Sequence, residues 1–330
     1  MDGSGGLTGA DEFQSRLAAK LRRELGSQIC GYLTEPDVIE IMLNPDGTLW
    51  VDRLGGELVR VGMMSAGQAE ALLGTIAAAM KTTITRENPV IECELPIDGS
   101  RFEGVIPPIV ASPAFTIRRK AVKVFTLQDY VDAGIMSLRQ RAAIEQGVAD
   151  RKNILVVGGT QTGKTTLTNA ILQAIAVTAP HHRLVVIEDT NELQCTIENH
   201  VGFRTSVHVD QTRLLKITMR MRPDRIVVGE VRDSAALALL KAWNTGHPGG
   251  VCTVHANDAR AGLIRMEQLI AETTTSPMAS LIAEAVDLIV SIAKVGPEVV
   301  AARRQVQEVL AITGYSDGQY QFRSAEREAA

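Results

Sequence analysis

The stretch from Asn153 to Thr166 reads N-I-L-V-V-G-G-T-Q-T-G-K-T-T, and it restricts the fold more than any other run in the chain. Residues 154–157 are apolar and β-branched or leucine, the composition of a buried strand, and the run stops at Gly158 and Gly159 before a helical pattern begins near Lys164. Gly158, four intervening residues, Gly163, Lys164 and Thr165 fit G-x-x-x-x-G-K-S/T. In that pattern the glycines let backbone N–H groups surround phosphate oxygens, and the following helix offers its positive end. The whole loop, Gly158, Gly159, Thr160, Gln161, Thr162, Gly163, Lys164, Thr165 and Thr166, is the expected phosphate cradle. Lys164 is expected to reach the β- and γ-phosphates of a nucleoside triphosphate, and Thr165 to ligate Mg²⁺.

A sheet of some size must surround such a loop, and 330 residues with 45% hydrophobic content supply enough for two domains. The net charge of −4 gives no global pull toward nucleic acid, and 4% aromatic residues leave few stacking platforms for single strands. Four scattered cysteines, Cys30, Cys93, Cys195 and Cys252, form no C-x-x-C pair, so neither a zinc site nor a disulfide framework is expected. Residues 1–10 lack a basic segment followed by an apolar one and read as a disordered tail rather than a signal peptide. The apolar stretch 279–293 is interrupted by Glu284 and Asp287 and is too broken to span a bilayer. A cytoplasmic protein with at most peripheral membrane association follows.

Residues 11–120 read as a smaller α+β domain. Phe13, Leu17, Leu21 and Leu25 recur every fourth residue in a helix ending at Gly26. Two apolar runs joined by N-P-D-G form a hairpin, residues 57–61 suggest a third strand, and Ser65 with Gln68 opens a helix by a capping box. Strands resume around 91–95, 100–106 and 114–120, carrying Arg101, Arg118 and Arg119. Residues 121–136 are the expected linker, and 137–330 an α/β domain in which strands at 184–187, 226–228 and 251–254 alternate with helices. Alternation of that kind gives a mostly parallel sheet whose ligands lie beyond the carboxyl ends of the strands. At those ends stand Glu188, Asp189 and Glu192, then Glu230 after an apolar strand and Gly229, then His255. The final segment, 297–330, holds a strand-like V-Q-E-V-L-A-I-T-G-Y and a D-G turn.

The ordered stretches G-G-T-Q-T-G-K-T-T, V-V-I-E-D-T-N-E-L, M-R-P-D-R-I-V-V-G-E-V-R and T-G-H-P-G-G-V-C-T-V-H-A-N resemble the Walker A, Asp box, Walker B and His box motifs of the type II and type IV secretion traffic ATPases. Within that superfamily, I-E-D-T-N-E-L and T-G-H-P-G-G are most similar to the TrbB-type conjugative-transfer ATPases. The resemblance implies a RecA-like P-loop NTPase domain behind the smaller α+β domain, ATP and Mg²⁺ as ligands, and a homohexamer. It also implies partners among the inner-membrane and cytoplasmic components of a type IV secretion or conjugation apparatus, at the cytoplasmic face of the bacterial inner membrane. Carried over by motif, Glu230 is the catalytic glutamate, Glu188 and Asp189 support the metal, Glu192 supports water, and His255 senses the γ-phosphate or couples its loss to domain movement. Arg101 and Arg118 match the arginines that reach the nucleotide when the domains close, with residues 121–136 as the hinge. The competing reading is a nucleic-acid-dependent RecA-like motor, suggested by Lys216, Arg220, Arg222 and Arg225 lying close together.

Overall fold

The computed structural model describes residues 9–53, 56, 58–120, 124–206, 208–296 and 303–327. The chain divides into two units, Met1–Val122 and Lys123–Ala330. Residues 1–8, most of the expected tail, lie outside the described residues.

In the first unit, α1 (Gly9–Tyr32) follows the expected leucine periodicity and breaks at Gly26, whose φ of 80° and ψ of 162° suit glycine. The helix resumes beyond that break rather than ending there. Strands β1 (Val38–Leu43), β2 (Thr48–Arg53) and β3 (Val59–Met63) precede α2 (Ala66–Ala79), and β4 (Val90–Glu94), β5 (Arg101–Val105) and β6 (Ala114–Arg118) follow it. They form one antiparallel sheet in the order β3-β2-β1-β6-β5-β4. Ser65 caps α2 reciprocally with Gln68, as its sequence predicts. Leu21, Leu25 and Ile29 of α1 and Leu72, Leu73 and Ile76 of α2 pack on Ile41, Val51, Phe102 and Ile117 of the sheet. Each such side chain contributes roughly 1.5–3 kcal/mol by leaving water.

The second unit contains α3 (Leu127–Asp132), α4 (Leu138–Ala149), β7 (Ile154–Gly158), α5 (Lys164–Thr178), β8 (Leu184–Glu188), β9 (His200–Arg204), α6 (Gln211–Thr218), β10 (Arg225–Val228), α7 (Ala235–Asn244) and β11 (Val251–His255). Then come α8 (Ala259–Ala271), α9 (Ala279–Ala285), β12 (Leu288–Val295), β13 (Arg303–Ser316) and β14 (Gln319–Ser324). The sheet order is β14-β13-β12-β7-β11-β10-β8-β9, parallel from β12 to β9 and antiparallel at β13 and β14. Leu155 and Val157 of β7 pack into one core, and Ile154 and Val156 into the other. Alternate residues of a strand covered on both faces do this, which is why these strands read as unbroken apolar runs.

One stretch folds differently from its sequence reading, and two others follow theirs with added detail. Within residues 121–136, α3 forms and Leu127, Tyr130 and Met136 are buried in the second unit's core. The apolar stretch 279–293 is divided between α9 and β12. The C-terminal segment makes a hairpin whose turn residues Asp317 and Gly318 both have positive φ, 53° and 74°, the twist that joins two strands tightly.

Arg225, read from sequence as part of a basic cluster, is 1% exposed. Its guanidinium donates to the carbonyls of Gly249 at 3.0 Å and Val148 at 2.9 Å and to His182 Nδ1 at 3.1 Å. It therefore ties β10 to α4 and to the approach to β11, and is withdrawn from any nucleic-acid surface. Arg225→Met is expected to destabilise the second unit by about 2–5 kcal/mol, because it leaves buried acceptors unpaired. Urea unfolding measures this. Burial, then the Arg225 and Arg151 charges, lower the His182 pKa. Its contribution to stability is thus whole above the ordinary histidine value and is lost as pH falls through the lowered one.

Candidate active site

The parallel strands deliver their carboxyl ends to one edge. His255 ends β11 opposite Gly158 of β7, and Glu188 ends β8 beside the start of the Gly229–Glu230 segment that follows β10. A Cβ on Gly229 would sit 3.1 Å from Glu188 Cγ, so the two strand ends touch there.

The loop from β7 into α5 has Gln161 at φ 57° and Gly163 at φ 97°. Gly163 occupies the N-cap of α5 and provides no side-chain cap. By contrast, α2, α3, α4, α6 and α8 are each capped by a serine, threonine or aspartate. The N-cap of α5 therefore supplies no side-chain acceptor of its own, a condition in which a helix start can bind an anion. Thr162 Oγ1 donates to the Gly159 carbonyl at 3.0 Å and stiffens the loop from within. Thr160 precedes that bond, and Thr165 and Thr166 lie in the first turn of α5.

Lys164 is 7% exposed, and its ammonium donates to the Gly159 carbonyl at 2.9 Å and to His255 Nδ1 at 3.1 Å. His255 Nε2 lies 3.1 Å from Glu230 Oε1. The Glu230 Oε2 atom meets Arg232 Nη2 at 3.1 Å, and Arg232 Nη1 meets Asp189 Oδ2 at 3.3 Å. Asp189 Oδ1 accepts from Thr205 Oγ1 at 2.9 Å. A chain of polar contacts therefore runs from the phosphate loop across three strand ends.

Burial lowers the His255 pKa first; Lys164 and Arg232 add to this and Glu230 opposes it. The imidazole is accordingly neutral at pH 7. An ammonium can only donate, so Nδ1 carries the lone pair, Nε2 carries the hydrogen, and that hydrogen is donated to Glu230. This tautomer is assigned from the bonding partners.

Glu188 is 8% exposed and its Oε1 accepts from the backbone N–H groups of Glu192 at 2.9 Å and Leu193 at 2.8 Å. Glu192 thus enters the site through its backbone, which Asn169 also grips by donating to the Glu192 carbonyl. Arg101 and Arg118 belong to the first unit, where they face each other directly on β5 and β6. Arg101 is held by Glu92 at 2.9 Å and Arg118 by Glu40 at 3.7 Å, while Arg119 turns to the backbone carbonyls of Glu35 and Val38.

The donor set fits a nucleoside polyphosphate: an uncapped helix start, a buried ammonium and small loop residues. Among the described residues no three His, Cys, Asp or Glu side chains converge as a metal cage; Thr165 in the first turn of α5 and the strand-end carboxylates are the oxygen donors that would hold a Mg²⁺ ion. Two residues were not singled out from sequence. Arg232 stands two residues past Glu230, and the spacing of two that puts side chains on one face of extended backbone was the available signal. Gln211 donates to the Glu230 carbonyl at 2.8 Å from α6, and nothing in the sequence foretold that long-range contact.

The profile of the family described as "Type II/IV secretion system protein" matches residues 26–318. A probable conjugal transfer protein TrbB of Sinorhizobium fredii is 51% identical over 94% of this chain and 94% of its own length. The conjugal transfer protein TrbB of Rhizobium radiobacter is 53% identical over 93% of each chain. The solved structure of the pilus retraction motor PilT with bound ADP shares the fold at a TM-score of 0.62 and 18% identity, over 88% of this chain and 83% of that one. Among the described residues no helix is long and apolar enough to cross a membrane.

Proposed function

The chain belongs to the type II/IV secretion system protein family, and from that premise we propose that it is a Mg²⁺-dependent ATPase acting as a homohexamer at the inner membrane in conjugative transfer. The single observation that carries this reading is the chain Lys164, His255, Glu230, Arg232, Asp189, which joins the phosphate loop to the strand ends. The half of the reading that concerns conjugation is supported by the names of the relatives.

In the mechanism we envisage, the N–H groups opening α5 and the Lys164 ammonium hold the terminal phosphates. Bound Mg²⁺ supplies charge neutralisation on the phosphate oxygens. Glu230 orients a water for attack on the γ-phosphorus and accepts its proton, while the bond to the β-phosphate oxygen breaks and ADP leaves with inorganic phosphate. Arg232 keeps the carboxylate aimed. Lys164 gives two of its three N–H groups to Gly159 and His255, so a γ-phosphate that engages the same ammonium weakens the His255 bond and His255 registers its presence. Arg101 and Arg118 of the first unit are proposed as further cations for the nucleotide.

Turnover should rise with protein concentration as a species near six times 35.5 kDa forms in light scattering with Mg-ATP. A chain that stays monomeric and turns over only with DNA would instead favour the nucleic-acid motor.

A further inference from the structure

The reactive groups His255, Glu230, Arg232 and Asp189 all lie on the side of β7 occupied by β11, β10 and β8. The other side of β7 is occupied by β12 and β13, and two of their cations, Lys294 and Arg304, reach the phosphate loop. Lys294 and Arg304 are partners in the β12–β13 register. Lys294 Nζ donates to the Gln161 side chain at 3.4 Å. The stem of Arg304 lies over Gly163: a Cβ on that glycine would sit 3.1 Å from Arg304 Cδ and 3.4 Å from its Nε. The Arg304 Nε–H is buried and meets no acceptor among the described residues.

Resting on the ATPase reading, we propose that Lys294 and Arg304 hold the nucleoside end of the bound nucleotide, at the α-phosphate and ribose. The terminal phosphates must lie where Lys164 meets His255, because the attacking water is oriented there. A linear triphosphate laid along the loop from that point runs past Gly163 toward β12 and β13. A buried guanidinium N–H without an acceptor, beside an uncapped helix start, is arranged for an anion that arrives with the ligand. Lys294 is exposed and its one described bond is a long one to a neutral amide, so it exchanges that partner for a phosphate oxygen at little loss. The register makes the two cations act as one unit, since β12 and β13 cannot move apart without breaking their ladder.

Groups at the nucleoside end serve ADP and ATP alike and change little in the transition state, so they govern affinity and leave the chemical step alone. Arg304→Met keeps the stem over Gly163, and Lys294→Met keeps its own. Each is expected to weaken ADP and ATP binding about tenfold, the effect of one lost charge-assisted bond. Turnover at saturating ATP should stay within about twofold, and Arg304→Lys should recover most of the affinity. Titration with a fluorescent ADP analogue reads the affinities. Independently of any variant, ADP should protect Lys294 of the wild-type protein from amine labelling, as read by mass spectrometry. Unchanged ADP affinity in both methionine variants, or labelling of Lys294 that ADP does not slow, would overturn the proposal. So would a loss of saturated turnover with affinity intact. A wild-type chain that binds no ADP would sink the ATPase reading itself, whereas a wild type that binds and variants that bind equally well sink only this assignment.

Discussion

Glu230→Gln is expected to lower ATP turnover by about 10²–10⁴-fold while leaving ATP affinity close to wild type. The substitution keeps the shape of the side chain and removes its charge and its capacity to take a proton. The anchors that place it stay: the Glu230 carbonyl still accepts from Gln211, and the amide oxygen still accepts from His255. Arg232 loses half of its carboxylate partnership and retains Asp189 at 3.3 Å. The site is therefore disarmed without being dismantled, and the loss falls on the chemical step. Rapid-quench single turnovers measure that step, and binding of a fluorescent ATP analogue measures affinity. Turnover within about threefold of wild type would remove Glu230 from the general-base role, and parallel losses in both measurements would make it a structural residue.

That experiment was accessible from the sequence, because Glu230 follows an apolar run and a glycine, a local pattern. The same holds for the phosphate loop, the Ser65 capping box and the strands of the parallel sheet, all of which are dictated by residues near one another in the chain. What escaped depends on distance. Strand β9 alternates exposed and half-buried residues, and its weak pattern is fixed by parallel pairing with β8. Strand β12 is an apolar run continuous in sequence with α9, and nothing local marks the switch from helix to strand between them. Arg225 looked like a surface cation because its neighbours are charged, whereas the fold surrounds it with the carbonyls of Val148 and Gly249. Arg304 is 141 residues from Gly163 in the chain, which is the difference of their numbers, and only the β12–β13 ladder brings it onto the loop. Periodicity reveals which residues are buried; it does not reveal which distant polar atoms they meet.

Lys164→Ala is expected to abolish turnover and to leave a fingerprint on His255 that a simple loss of activity lacks. Lys164 is 7% exposed and its ammonium is bonded to the Gly159 carbonyl, so its removal takes a positive charge from inside the loop while the backbone of α5 remains. Losing a charge-assisted contact to both terminal phosphates should weaken ATP binding by roughly tenfold or more and stop transfer, since the charge developing on the γ-phosphoryl group then has no counterpart in the loop. Lys164 also lowers the His255 pKa, second to burial among the lowering causes. Its removal should therefore raise that pKa, and Glu230→Gln, which deletes the carboxylate that raises it, should lower it further. The two substitutions abolish the same reaction and move one titration in opposite directions. Histidine NMR across pH 4 to 8, from about 2.5 units below the ordinary value to about 1.5 above it, separates them. It also tests the tautomer: in wild type the proton stays on Nε2 facing Glu230, and in Lys164→Ala the Nδ1 lone pair loses its donor. A His255 titration unchanged in both variants would mean that the imidazole is not coupled to the loop. In that case its role as reporter of the γ-phosphate falls, even if both variants are inactive.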